Sequence, residues 1–124
     1  MAKIQRFEDL EVWQNAMDIA VNIYKISSTG KIYKDYGLKD QLTRAAISIS
    51  NNISEGFEYD NKADFIKFLR YAKGSCGEVR NMINFLVRIN FIEDSIHKEI
   101  SEKLISLSKQ LYGFINYLKN YKKK

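Results

Sequence analysis

The chain contains no proline, one cysteine, one histidine and one tryptophan in 124 residues. Without proline no position loses its backbone donor or has φ fixed, so no segment carries an obligatory helix break. A single thiol, Cys76, excludes an internal disulfide and any cysteine-based metal cluster, and it fits a reducing compartment. Long apolar runs are also missing. No stretch is apolar for long enough to cross a bilayer, and Met1 to Phe7 carry Lys3 and Arg6 with no apolar run behind them. A cytoplasmic location is the resulting expectation.

What is present is a helical pattern. The length is that of one domain, residues 1–124, and a hydrophobic content of 45% with 13% aromatics supplies a core. Every long segment repeats its apolar residues at helical spacing. The net charge of +5 permits contact with nucleic acid or an acidic surface without requiring it.

The first helix is expected from Glu8 to Ser27 or Ser28, closed by Gly30. It carries two apolar stripes. One is Leu10, Trp13, Met17, Val21 and Tyr24; the other is Val12, Ala16, Ile19, Ile23 and Ile26. A helix in a lone small bundle buries one face, so the excess implies either burial deep among helices or a subunit interface, and in a chain this short the interface is the favoured reading. After a link at Lys31–Tyr36, the second helix runs to Glu55, with Gly56 as its stop and a core line of Leu38, Leu42, Ala45, Ile49 and Ile53. A short loop to Asp60 makes it an antiparallel neighbour of the third helix, capped by Asp60 or Asn61 and reaching Ile89. That helix has its core line at Phe65, Phe68, Leu69, Ala72, Cys76, Val79, Ile83 and Leu86, widened by Tyr71, Met82, Phe85 and Ile89. The fourth helix begins at Glu93 or Asp94 and ends near Tyr121, with Ile96, Ile100, Leu104, Leu107, Leu111, Phe114 and Leu118 inward. The pattern predicts an all-α, antiparallel up-down-up-down four-helix bundle.

Three sets of residues are candidates for a role. A polar seam of Gln41, Ser48, Asn52 and Glu55 lies beside the core line of the second helix, and Ser75 and Glu78 of the third helix are its expected partners. Polar groups next to a core need hydrogen bonds, so the seam reads first as a network that fixes helix pairing and second as a ligand site. The mid-helix pair Gly74 and Gly77 is expected to let the third helix approach that seam closely. A basic stripe on the third helix, Lys62, Lys67, Arg70, Lys73, Arg80 and Arg88, has no acid among its members. With the tyrosines and lysines of the C-terminal tail it suits a phosphate backbone, although a solvated face is the plainer reading. The expected subunit contact comprises Val12, Ile19 and Ile23 on the first helix and Tyr71, Phe85 and Ile89 on the third.

Catalytic signals are poor. A di-iron bundle needs Glu-x-x-His twice on facing helices, whereas Asp94 and His97 supply one imperfect copy. Helical ribonucleases that use an Arg and a His a few residues apart are a further comparison, but Arg88 and His97 are widely spaced across a turn. Ser75 and Cys76 have no histidine near them in the pattern, and Cys76 reads as a small core residue. No metal or cofactor is expected.

Several segments taken in order resemble one bacterial family. These are Phe7-Glu8-Asp9-Leu10 with Val12-Trp13-Gln14, then Tyr36-Gly37-Leu38, Gln41-Leu42 and Arg44-Ala45-Ala46. Ser48-Ile49, Asn52-Ile53 and Glu55-Gly56 follow, and then Phe68-Leu69, Ala72, Gly74-Ser75 and Glu78. The set is similar to the four-helix-bundle proteins encoded in intervening sequences of 23S ribosomal RNA genes. Tyr33 and Ser50 stand where that family often has proline, which implies a less stiff first loop and a less bent second helix. The resemblance implies a homo-oligomer, a pentameric ring of bundles. It also implies kinship with the accessory proteins of diversity-generating retroelements, which bind nucleic acid and a reverse transcriptase. The expected function is a non-enzymatic oligomeric scaffold that binds RNA or DNA, or a nucleic-acid-processing protein, through its basic surface. The alternative is a structural or protein-interaction scaffold with no nucleic-acid role.

Overall fold

The computed structural model describes residues 3–121, and the lysines at 122–124 of the expected basic tail lie outside it. A single 3-10 turn at Phe7–Asp9 precedes five helices: α1 (Glu11–Ser27), α2 (Gly30–Lys34), α3 (Tyr36–Glu58), α4 (Lys62–Arg88) and α5 (Asp94–Asn120). The four long helices, α1, α3, α4 and α5, form the antiparallel bundle that the apolar periodicity predicts. α3 packs most extensively on α4, α4 on α5 and α1 on α3, while α1 meets α5 only sparsely. α1 and α4 therefore occupy opposite corners.

Local chemistry accounts for the helix ends. Leu10, in extended conformation, separates the 3-10 turn from α1, so the first α-helix starts later than its acidic first turn suggests. The reason is that Leu10 is buried in the core and Phe7 packs on Trp13, with ring centroids 5.5 Å apart. The expected link at 31–36 contains the one-turn α2, held by the buried Ile32, and Gly30 enters it with φ +67. The Asp35 carboxylate caps α3 by accepting from Leu38 N at 3.2 Å, and the Asn61 side chain caps α4 by accepting from Asp64 N at 3.0 Å. α4 ends in a left-handed Asn90 (φ 62), where Phe91 N donates to Leu86 O at 2.9 Å and Asn90 N to Val87 O at 3.1 Å. That pair of bonds satisfies the terminal carbonyls and turns the chain into α5.

Two glycine expectations are corrected. Gly56 does not stop the helix: α3 continues to Glu58, and Gly56 is buried against α4. A Cβ there would lie 2.6 Å from Phe68 Cβ, so the glycine is what lets α3 and α4 approach. Gly74 and Gly77 make no such approach, since both are exposed with nothing within 4 Å of a built Cβ. They lie on the outer face of α4, whereas the seam lies against its inner edge.

The core is one cluster drawn from all five helices and the Leu10 segment. Leu42, Ala45, Ile49 and Ile53 of α3, and Leu69 through Leu86 of the α4 line, are buried as their spacing predicts. Ala46, Ser50 and Ile115 join them. No helix among the described residues is long and apolar enough to cross a membrane.

Candidate nucleic-acid interface

α4 positions the basic stripe. Its 27 residues rise about 40 Å, and its buried line fixes one side of the helix, so residues off that line face outward. Lys62, Lys67, Arg70, Arg80 and Arg88 are exposed and Lys73 is half-buried. At 100° per residue the six fall within an arc of roughly 140°. Among the described residues none of them pairs with a carboxylate; the ion pairs there join Arg6 to Glu8 and Asp9, Arg44 to Asp40 and Lys103 to Glu99. Lys62 Nζ instead donates to Tyr121 O at 3.1 Å, and Lys67 Nζ lies 5.4 Å from the Phe68 ring centroid. Phe68 in turn stacks on the exposed Tyr59 at 5.3 Å and meets Tyr71 edge-on at 5.7 Å. Uncompensated cations beside exposed aromatic faces can meet phosphates and stacked bases.

Beneath the stripe lies Cys76. Burial pushes its thiol up to about 12, and the neighbouring Lys73 and Arg80 oppose the shift only in part. It is an inert core residue.

The polar seam divides. The hydroxyls of Ser48 and Ser75 are 2.9 Å apart and link α3 to α4. Asn52 Nδ2 donates to Ser48 O at 2.8 Å and to Ser48 Oγ at 3.1 Å, so it supports that link from within its own helix. Gln41, Glu55 and Glu78 are exposed and stand apart from this trio. The linked part of the seam is thus two serines and an asparagine, half-buried at the α3–α4 contact.

The expected subunit contact is corrected on its α1 side. Val12, Ile19 and Ile23 are buried in this chain's own core and have no face left for another subunit. Of the other α1 stripe, Leu10 is buried, Trp13 and Met17 are half-buried, and only Val21 and Tyr24 at its end are exposed. Both stripes carry similar hydrophobicity, and only the rotation of α1 against α3 chooses between them. On α4, Tyr71 is 53% and Phe85 51% exposed, while Ile89 is half-buried against the core.

A profile of the family described as 23S rRNA-intervening sequence protein matches residues 8–113. The chain belongs to that family. The match spans the four long helices apart from the end of α5. Within the family's fold, a crystal structure at 1.70 Å of a protein of unknown function from the S23 ribosomal protein family of Bacteroides thetaiotaomicron VPI-5482 superposes with a TM-score of 0.76. The two chains are 26% identical, and the similarity covers 84% of this chain and 97% of the other. No protein of curated function matches the chain.

This 23S rRNA-intervening sequence family member also has a groove that sequence reasoning missed. Arg88 near the end of α4 and His97 in the first turn of α5 line the same cleft, of about 830 Å³, together with Gln41, Asn81, Asn84 and Phe85. His97 Nε2 and Asn84 Oδ1 are 2.7 Å apart. The nine-residue separation of Arg88 and His97 had argued against their association. The Asn90 reversal folds α5 back along α4 and brings them together.

Proposed function

We propose that this protein is a non-enzymatic helical scaffold that binds nucleic acid, RNA in the first instance, through the basic face of α4. The single observation that carries the reading is the run of six cations along about 40 Å of one helix with no carboxylate partner among the described residues. A phosphate backbone supplies the missing anions at regular spacing, and release of its counterions drives association without base readout. Self-assembly would repeat the face and multiply a modest affinity by avidity.

The test reverses Arg70, Lys73 and Arg80 to Glu and measures retention of labelled RNA against salt. Wild type should bind at low salt with a steep salt dependence, and the triple variant should not bind. Retention by the variant rejects this face as the site.

A second reading has its own support, in which α4 docks on another copy of the chain. The groove between α1 and α5 is lined by Asp18, Glu99 and Glu102 with Lys103 as its cation, and it lies across the bundle from the basic face of α4. The exposed apolar residues Val21 and Tyr24 on α1, and Tyr71 on α4, also lie at opposite corners. Opposed complementary faces generate a head-to-tail ring or filament. In this reading the triple reversal lowers the sedimentation coefficient, and wild-type protein does not retain RNA. Val21→Asp and Tyr71→Asp should also yield smaller particles, because each places an unpaired charge in the contact.

A further inference from the structure

We propose that the groove where the first two turns of α3 and the first turn of α5 meet the end of α4 binds a single nucleotide. Its base stacks on Phe85 and its phosphate lies between Arg88 and His97. The proposal deepens the nucleic-acid reading by naming a base-binding site, and it rests on that reading only for the source of the nucleotide.

The groove is built differently from the basic face. Phe85 is a large apolar ring left 51% exposed, and in the groove the polar Asn81, Arg88 and His97 stand beside the apolar Leu38, Met82 and Val87. Asn81 lies one turn before it and Arg88 nearly one turn after it, so the amide, ring and guanidinium share one face of α4. An aromatic face flanked by amides and a cation has the composition with which proteins hold an unstacked base. Carboxamides offer donors and acceptors together, as the Watson–Crick edge of a base does, and Gln41 brings one from α3 beside Asn81 and Asn84 of α4.

The phosphate end is also provided for. Among the described residues no carboxylate lines the groove, so an anion meets no like charge there. Arg88 presents a planar fork of donors suited to phosphate oxygens. His97 comes from the other helix, and its Nε2 contacts the Asn84 carboxamide oxygen at 2.7 Å. In the tautomer whose Nε2–H donates to that oxygen, Nδ1 is left for the ligand, as an acceptor from a ribose hydroxyl in the neutral ring and a donor to a phosphate oxygen in the imidazolium. The volume of about 830 Å³ lies within the range of small-ligand sites, ~300–1,000 Å³. A duplex cannot offer a base face to this groove, so the ligand is an unpaired nucleotide, either free or within a single strand.

Titration of the full chain with adenosine 5′-monophosphate, a single-stranded adenylate tetranucleotide and a short RNA duplex, followed by NMR and competition anisotropy, tests this. The monophosphate should shift the amide resonances of Phe85, Arg88 and His97. Phe85→Ala and Phe85→Leu should each weaken it by about tenfold or more, because neither keeps the ring face. The exposed position of Phe85 leaves the thermal melt near wild type. Arg88→Gln should weaken the monophosphate but not adenosine. The Arg70, Lys73 and Arg80 reversal should leave monophosphate binding within twofold of wild type, so failure of the α4 stripe and failure of the groove are separable. A tetranucleotide that binds more tightly than the monophosphate assigns the source to a strand; equal affinity assigns it to the free nucleotide. Absence of monophosphate binding at 10 mM, or binding unchanged in both the Phe85 and Arg88 variants, overturns the proposal.

Discussion

Gly56→Ala should destabilise the protein even though alanine is the better helix former. Gly56 sits inside α3 and is buried at the α3–α4 contact, the most extensive in the bundle. An added methyl would lie 2.6 Å from Phe68 Cβ, 3.2 Å from Phe65 Cδ1 and 3.4 Å from Phe68 Cγ. Phe65 can give by a small rotation. Phe68 Cβ is tied to the α4 backbone, so relief requires the two helices to move apart by about an ångström. Overpacking of that kind costs about 1–3 kcal/mol. The intrinsic helix gain of alanine over glycine, about 1 kcal/mol, offsets only part of it. Separation of the helices also stretches the 2.9 Å Ser48–Ser75 hydroxyl contact about two turns away, which adds to the loss. A net destabilisation of about 1–2 kcal/mol, or several degrees in Tm, is expected. Gly74→Ala and Gly77→Ala are the controls. Both are in α4 with nothing within 4 Å of the new atom, so each should stabilise by ~0.5–1 kcal/mol. Urea unfolding followed by circular dichroism measures all three. A Gly56→Ala variant at least as stable as wild type, or three substitutions with the same sign, refutes the close-approach argument.

Further outcomes follow from the same geometry. Ser101 Oγ is buried with no hydrogen-bond partner among the described residues, so Ser101→Ala should raise stability by ~1 kcal/mol in a denaturant titration. Ser48→Ala and Ser75→Ala should each cost ~1 kcal/mol, and the double variant should cost less than their sum, because the second substitution removes the hydroxyl that the first left unpaired. Cys76, with its thiol pushed up to about 12, should be blocked to maleimide at pH 8 and react only on unfolding; reaction in the native state at a rate typical of free thiols would contradict its burial. If all six α4 cations meet phosphates, the slope of log K against log salt for single-stranded RNA should approach about −4, and each cation removed should reduce it by ~0.7.

Much of this arrangement was legible in the chain itself. The bundle could be read from Leu42, Ala45, Ile49 and Ile53, and from Leu69 to Leu86, because a helix buries residues every three or four positions whatever it packs against. The α4 cap was legible to within two residues, Asp60 or Asn61, since a cap acts within one turn of its own helix, and Asn61 is the one that bonds. The cations of α4 could be placed on a common side by spacing alone.

Tertiary structure decided everything that depends on how one helix is rotated against another. It turned Val12, Ile19 and Ile23 inward and left Val21 and Tyr24 exposed, although either stripe of α1 is apolar enough to be core. Gly56, and not the more conspicuous Gly74 and Gly77, became the point of close approach, because contact with a neighbour depends on which face the neighbour meets. The reversal at Asn90 brought Arg88 and His97 into one groove with Phe85. A chain encodes its helices through interactions spanning about four residues, which are legible one segment at a time. It encodes clefts through the packing of whole segments, where many side chains jointly fix one rotation and no short pattern records the result.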